Sequence, residues 1–275
     1  MIEYRTASLS EVHGLMELAA AEGWNPGLDD PDAFFLADRD GFFGAFDGET
    51  HCGGISVVNH NPHFAFLGLY LMRPEYRGKG LGFSLWKYAI AHARERTIGL
   101  DGVEEQQANY AASGFETAGN TTRFTGKIPG KRRDKVREVR DDEISKLIKM
   151  EAQASGVRKP SYLATWFQKT LTRRTFVFED AGQIQGFCTM RQCLEGFKVG
   201  PFFARDTEIA RQLLETVSAH QDSELTLDVP GSSRELEKVC QTFGMQAGFR
   251  TARMYRGPFT PVPETLFAVG SLELG

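Results

Sequence analysis

The chain has 275 residues, 41% apolar and 25% charged, with a formal net charge of −4. This is the balance of a folded protein long enough for two domains, and it excludes large-scale disorder. The acidic balance argues against a nucleic-acid partner, which calls for a basic footprint. No apolar run approaches the roughly 20 residues that cross a bilayer, so no membrane partner is expected.

Along the chain, Glu3-Tyr4-Arg5 leads through a capping-box pair, Ser8 and Glu11, into a helix bearing Val12, Leu15, Met16, Leu18 and Ala19. A loop, Glu22 to Gly27 with Trp24 in it, follows. Phe46-Asp47-Gly48 between apolar runs predicts a hairpin. The stretch Phe64 to Met72 is an aromatic-rich apolar strand, stopped at Pro74 because proline cannot donate to a ladder. Three glycines (Gly78, Gly80, Gly82) then open a helix whose face carries Leu81, Leu85, Ala89 and Ala93. Gly99-Leu100-Asp101, a polar helix, Gly114-Phe115 and Arg123-Phe124-Thr125-Gly126 read as strand, helix, turn, strand. After Pro129-Gly130 comes a basic run, Lys131 to Arg137, expected as a solvated linker.

The pattern then repeats. Glu138-Val139-Arg140 and Asp141-Asp142 lead into a helix with Ile144, Leu147, Ile148 and Met150, and Asp180-Ala181-Gly182 gives the second hairpin signal. Thr226-Leu227-Asp228, a helix, Gly244-Met245 and Met254 to Gly257 close the second half as the first was closed. Two similar α/β units in tandem are predicted, each a central mixed sheet flanked by helices: residues 1–127, a linker over 128–135, and 136–275. Four cysteines (Cys52, Cys188, Cys193, Cys240) lie without CxxC pairs or histidines at metal spacing. The start, MIEYRTASLSE, has no secretory-signal pattern. Buried, reduced thiols in a cytoplasmic protein without a metal site are expected.

The segment Arg77-Gly78-Lys79-Gly80-Leu81-Gly82 follows a strand and opens a helix. Glycines there allow positive φ and close backbone approach, and the freed N–H groups suit a diphosphate. Arg77 and Lys79 add cationic side chains. A Walker A loop is excluded because Gly80 follows Lys79. A Rossmann loop would want its third glycine one residue later than Gly82; Asp101 keeps that alternative open, but it leaves Arg77 and Pro74 without a role.

These residues resemble the acyl-CoA motif of the GNAT superfamily, Arg/Gln-x-x-Gly-x-Gly/Ala after an apolar strand, which falls on Arg77, Gly80 and Gly82. A second family element, a tyrosine four residues before Gly-Phe, falls on Tyr110 with Gly114-Phe115. The resemblance covers roughly residues 1–127. It implies acetyl-CoA as co-substrate and direct transfer of the acetyl group to an amine. Backbone contacts to the pantetheine and thioester would come from Tyr70, Leu71 and Met72. Diphosphate contacts would come from Gly78, Lys79, Gly80, Leu81, Gly82 and Phe83, with Tyr110 as the acid for the leaving thiolate. Many relatives carry an asparagine seven residues before this tyrosine, where this chain has Val103. The second half resembles a degenerate GNAT-like domain: Ala204-Arg205-Asp206-Thr207 stands for the glycine loop and Cys240 for Tyr110, so no CoA site is expected there.

Trp24 is the candidate for an acceptor-facing wall. The acceptor is a small-molecule or peptide amine of open identity. The general base is also open, with His60 and His63, read in the turn before the motif strand, and Glu104 and Glu105 as surface or structural residues. A non-catalytic acyl-CoA sensor and a nucleotide-binding oxidoreductase are the competing functions; oligomeric state is not legible.

Overall fold

The structure is a computed structural model describing residues 1–259 and 263–275. In the first half, β1 (Ile2–Thr6) leads to α1 (Leu9–Ala21) and α2 (Asp30–Ala37). There follow β2 (Phe42–Asp47), β3 (Thr50–Asn61), β4 (Phe64–Met72), α3 (Leu81–Ile90), β5 (Thr97–Gly102), α4 (Gln107–Ala112) and β6 (Glu116–Gly126). The second half repeats the order with β7 (Val136–Glu138), α5 (Ile144–Ser155), α6 (Pro160–Trp166), β8 (Arg173–Asp180) and β9 (Gln183–Gln192). It continues with β10 (Phe197–Ala204), α7 (Thr207–Ser218), β11 (Leu225–Pro230), α8 (Arg234–Thr242), β12 (Gln246–Arg256) and a short β13 (Leu266–Ala268).

Local chemistry sets these elements where the sequence places them. Ser8 and Glu11 form the capping box of α1. Gly48 (φ 59°) turns β2 into β3; Ala181 (φ 49°) and Gly182 (φ 73°) turn β8 into β9, with positive φ at both central residues as a type I′ turn requires. All four cysteines are free and buried. No helix among the described residues is long and apolar enough to cross a membrane.

One mixed sheet of 13 strands runs through both halves, in the order β1-β2-β3-β4-β5-β12-β6-β11-β10-β9-β8-β7, with β13 on β10. Each half has one parallel pair, β4 with β5 and β10 with β11. The closing strands change places. β12, from the second half, pairs antiparallel with β5, whereas β6, from the first, pairs with β11. The halves are thus interleaved by one strand each. Ion pairs fasten both exchanges: Asp101 of β5 takes Arg253 of β12 at 2.7 Å, and Asp228 of β11 takes Arg123 of β6 at 2.7 Å. The halves share a helical core as well, where Phe34 of α2 stacks on Trp166 of α6 at 5.8 Å.

The basic segment after Pro129 is mostly exposed at Lys131, Arg132, Asp134 and Lys135, and it is fastened to the second half at a few points. Ile128 is buried, its carbonyl accepts from the Ser218 hydroxyl, Lys131 N–H donates to the Glu215 carbonyl at 2.9 Å, and Arg133 Nε donates to the Glu215 carboxylate at 2.7 Å. A carboxylate on the last turns of α7 binds the run and removes part of its charge from solvent.

Candidate active site

The site is built where β4 leaves β5. Their parallel pairing extends from Phe64↔Thr97 to Phe66↔Gly99 and stops. On the other edge β4 bulges against β3 between Gly68 and Leu71, with Leu69 at φ 47°. A bulge inserts an extra residue and bends the strand. From Leu67 onward the β5-facing edge of β4, which carries Tyr70, Leu71 and Met72, has no ladder partner among the described residues. Backbone N–H groups on that edge are available to an extended ligand such as a pantetheine arm.

Immediately downstream, Pro74–Tyr76 form a single 3-10 turn, and Gly78 (φ 72°) and Gly80 (φ 74°) adopt left-handed backbone. A Cβ added at either would meet nothing within 4 Å, so the space above them is open. Gly80 is the N-cap of α3, and no side chain caps that end. Uncapped N–H groups at the positive pole of a ten-residue helix form an open cradle that could receive an anion such as a diphosphate and that a side chain would fill. Gly82 is needed for another reason, since a Cβ there would sit 2.8 Å from the Tyr70 hydroxyl.

The cationic side chains expected at this cradle are occupied by the protein. Arg77 Nε donates to the Met72 carbonyl at 2.8 Å, and its Nη2 donates to Glu22 at 2.5 Å, tying the end of β4 to the end of α1. Lys79 Nζ donates to the Glu75 carbonyl at 2.6 Å and lies over Tyr76. The cradle is therefore principally backbone. Phe83, the first outward residue of α3, is exposed and lies beneath Lys87.

Tyr110 stands on α4 with its ring stacked on Trp86 of α3 at 5.5 Å and against Phe115 at 6.4 Å. Trp86 in turn meets Tyr70 at 5.5 Å, so one aromatic layer joins the loop helix, the splayed strand and Tyr110. The Tyr110 hydroxyl makes no hydrogen bond among the described residues. Burial, helped by nearby Tyr70, pushes its pKa up to about 12, so it is a protonated donor throughout the neutral range.

The equivalent places in the second half are closed. Asp206 caps α7 with its own carboxylate, accepting from Ile209 N–H at 2.8 Å, where α3 has open N–H groups. Cys240 is fully buried in the core, and Met245 N–H returns to its carbonyl at 3.1 Å just as Phe115 N–H returns to that of Tyr110. The backbone repeat is intact, with a self-capped helix and a buried thiol standing at these two places.

Trp24 is half-buried against the shared helical core, in a loop that the second half grips. Lys198 Nζ donates to the Trp24 carbonyl at 3.0 Å, Asn25 exchanges two bonds with Glu195, and Leu28 N–H donates to Gln192 at 2.9 Å. The turn reading holds for His63 but not for His60. β3 runs on to Asn61, so His60 is an interior strand residue whose Nε2 meets the Leu274 carbonyl at 2.8 Å. Glu104 and Glu105 are exposed on a 3-10 turn.

Sequence reasoning did not find the charged interior beside the splay. It comprises Asp101–Arg253, Asp228–Arg123, Asp30–Arg191, Lys198 and Glu273, assembled from both halves. A separate cavity of about 480 Å³ lies at the start of β4, lined by Phe64, Phe66, Arg253 and Tyr255 among others; neither residues 77–83 nor Tyr110 line it.

Residues 9–115 match the acetyltransferase (GNAT) family and residues 147–268 match an acetyltransferase (GNAT) domain. The holothin acyltransferase of Pseudoalteromonas sp. (strain SANK 73390) is 32% identical over 98% of this chain and 94% of its own length. A putative acetyltransferase from Pyrococcus horikoshii has the same fold, with a TM-score of 0.83 at 18% identity, covering 100% of this chain and 96% of its own. A tandem GNAT protein from the clavulanic acid biosynthesis pathway also shares the fold, with a TM-score of 0.63 at 15% identity over 94% of this chain and 100% of its own. The chain thus belongs to the GNAT acetyltransferase superfamily, as a two-domain acyltransferase.

Proposed function

We propose that the protein transfers the acetyl group of acetyl-CoA directly to an amine, with the first half holding the thioester and the second shaping the acceptor side. One observation carries this reading: an unpaired β4 edge leads into an uncapped, glycine-framed helix N-terminus, with a free tyrosine hydroxyl beside them. In this reading the diphosphate lies on the N–H groups of Gly78 to Phe83. The pantetheine follows Tyr70, Leu71 and Met72, and the thioester lies near the bulge at Leu69. N–H groups fixed at the carbonyl oxygen stabilise the tetrahedral oxyanion. The amine attacks the carbonyl carbon and gives up one N–H proton, in the end to solvent, the C–S bond breaks, and the Tyr110 hydroxyl protonates the departing sulfur and is reprotonated from solvent.

The α1–α2 loop with Trp24, gripped by residues 192–198, supplies the acceptor wall. Holothin, named for the relative, is the first acceptor to assay, ahead of a general amine and peptide-amine library. Release of free CoA thiol that depends on an added amine, with formation of the acetylated product, is the expected result. Tight acetyl-CoA binding without turnover against any acceptor would instead favour a sensor.

A further inference from the structure

Five carboxylate residues are buried among the described residues: Asp30, Glu151, Glu215, Asp228 and Glu273. Four have a cation in ion-pair contact: Arg191 at 3.2 Å, Lys159 at 2.9 Å, Arg133 at 2.5 Å and Arg123 at 2.7 Å, respectively. Glu273, only 7% exposed, has neither an ion pair nor a hydrogen bond to its carboxylate among the described residues. Its oxygens are not among the fully sealed unpaired atoms, so solvent reaches them. A buried carboxylate without a direct partner is costly for a fold to keep unless cations nearby offset its charge.

Its position is specific. The Glu273 backbone lies directly on Gly68, where any Cβ would collide with the Glu273 carbonyl. Gly68 immediately precedes left-handed Leu69, at the point where β4 has parted from β5. The flanking tail is pinned, with Leu274 fully buried and its carbonyl against His60, and the Gly275 carbonyl receiving Lys159 at 2.5 Å. The charged groups within electrostatic reach of Glu273 are Lys198 on β10, Arg123 on β6 and Arg191 on β9; Asp228 on β11 acts on the same cations. Burial, and then Arg123, hold Lys198 below its ordinary pKa while Glu273 opposes them, and Lys198 reaches the Trp24 carbonyl of the acceptor loop. Glu273 thus stands between the thioester strand and the acceptor loop.

Building on the acyl-transfer reading above, we infer that Glu273 is the general base that takes the proton from the acceptor amine. As nitrogen bonds to the thioester carbon, one N–H proton passes to the Glu273 carboxylate and then to solvent. The C–S electron pair leaves on sulfur, which is protonated from Tyr110. The products are the N-acetyl amide and CoA thiol, with no net redox change.

The test compares the parent with Glu273→Gln and Glu273→Asp in full-length protein, using acetyl-CoA and the best amine from the acceptor screen. Glu273→Gln should lower kcat by about 10²–10⁴-fold. Acetyl-CoA affinity by calorimetry should stay within about twofold, and the acidic limb of the kcat–pH profile should disappear; His60→Gln serves as the control for the nearby imidazole. Glu273→Asp should recover part of the loss. Parent-like kcat and an unchanged acidic limb in a folded Glu273→Gln protein would overturn the assignment. If Gln at this position prevents folding, Glu273→Asp decides: reduced kcat with unchanged acetyl-CoA affinity supports the base, and parent kcat overturns it. A parent protein that binds acetyl-CoA but acetylates no amine would refute the acyl-transfer reading itself, and the base with it.

Discussion

Removing one oxygen atom tests the acid side of the mechanism. In Tyr110→Phe the ring keeps its stack on Trp86 at 5.5 Å and its edge contact with Phe115, so packing is preserved. The hydroxyl has no partner inside the protein, so its loss strands no buried group, and stability should change by no more than about 0.5 kcal/mol. The effect on the reaction should be far larger. With its pKa pushed up to about 12, this phenol lies about 3.5 units above a thiol near 8.5, so complete transfer to a finished thiolate would be uphill by about 5 kcal/mol. The proton must therefore move while the C–S bond is breaking and charge is still developing on sulfur. Positioned acids of this kind contribute about 10²–10⁴-fold, or about 3–5 kcal/mol. Single-turnover kcat should fall by that factor with acetyl-CoA affinity unchanged, and the loss should shrink for an acyl donor with a more acidic thiol. The raised pKa also fixes a sign: the acid stays protonated through pH 10, so Tyr110 contributes no alkaline limb below that pH. A folded Tyr110→Phe protein with parent single-turnover rates would reduce Tyr110 to a packing residue.

Gly80→Val should weaken acetyl-CoA binding at least 100-fold by calorimetry, because the branched side chain enters open space over the α3 N-terminus; the left-handed backbone adds a stability loss of about 1–2 kcal/mol. Asp206→Ala should cost about 1 kcal/mol as a lost helix cap, and the stoichiometry should stay at one CoA per chain, since in the second half β13 covers β10 beyond its short pairing with β11 and the loop glycines are missing. His60, pushed down to about 3 by burial first and by Lys159 next, stays neutral in the folded chain while an unfolded histidine charges below about 6.5. Stability should therefore fall as pH drops through that window, by up to about 1.4 kcal/mol per unit, and the slope of denaturant-measured stability against pH should flatten in His60→Gln.

The parts of the site legible in the sequence are those whose chemistry is local. A stretch from Phe64 to Gly82 carries its own strand, stop, turn and helix start, so glycine spacing alone locates the open helix end. The Tyr110-to-Phe115 spacing similarly names a helix end. What the sequence hides is whatever depends on partners far away in the chain. β6 and β12 are both 11-residue strands that open with five exposed residues and then become buried, so nothing local tells which sheet half each completes. Lys198 and Glu273 look like solvated surface charges until the tail folds back, its Val269 against Gly200 of β10 and its Glu273 against Gly68 of β4. Arg77 reads as an anion ligand from its motif, and only the fold shows Glu22 waiting for it.

The interleaved strands also set a timetable for synthesis. Arg253 of β12 bonds to Asp101 of β5 across 152 residues, so the first half cannot close its sheet until nearly the whole chain has been translated. At ribosomal rates of roughly 5–20 residues per second, β5 waits roughly 8–30 s with one edge open to any strand that comes near. A nascent chain at this stage carries the whole glycine loop and Tyr110 but not the strand beside them. Catalytic competence is a property of the finished polypeptide, and a ribosome stalled within β12 would release a chain with every motif and no enzyme.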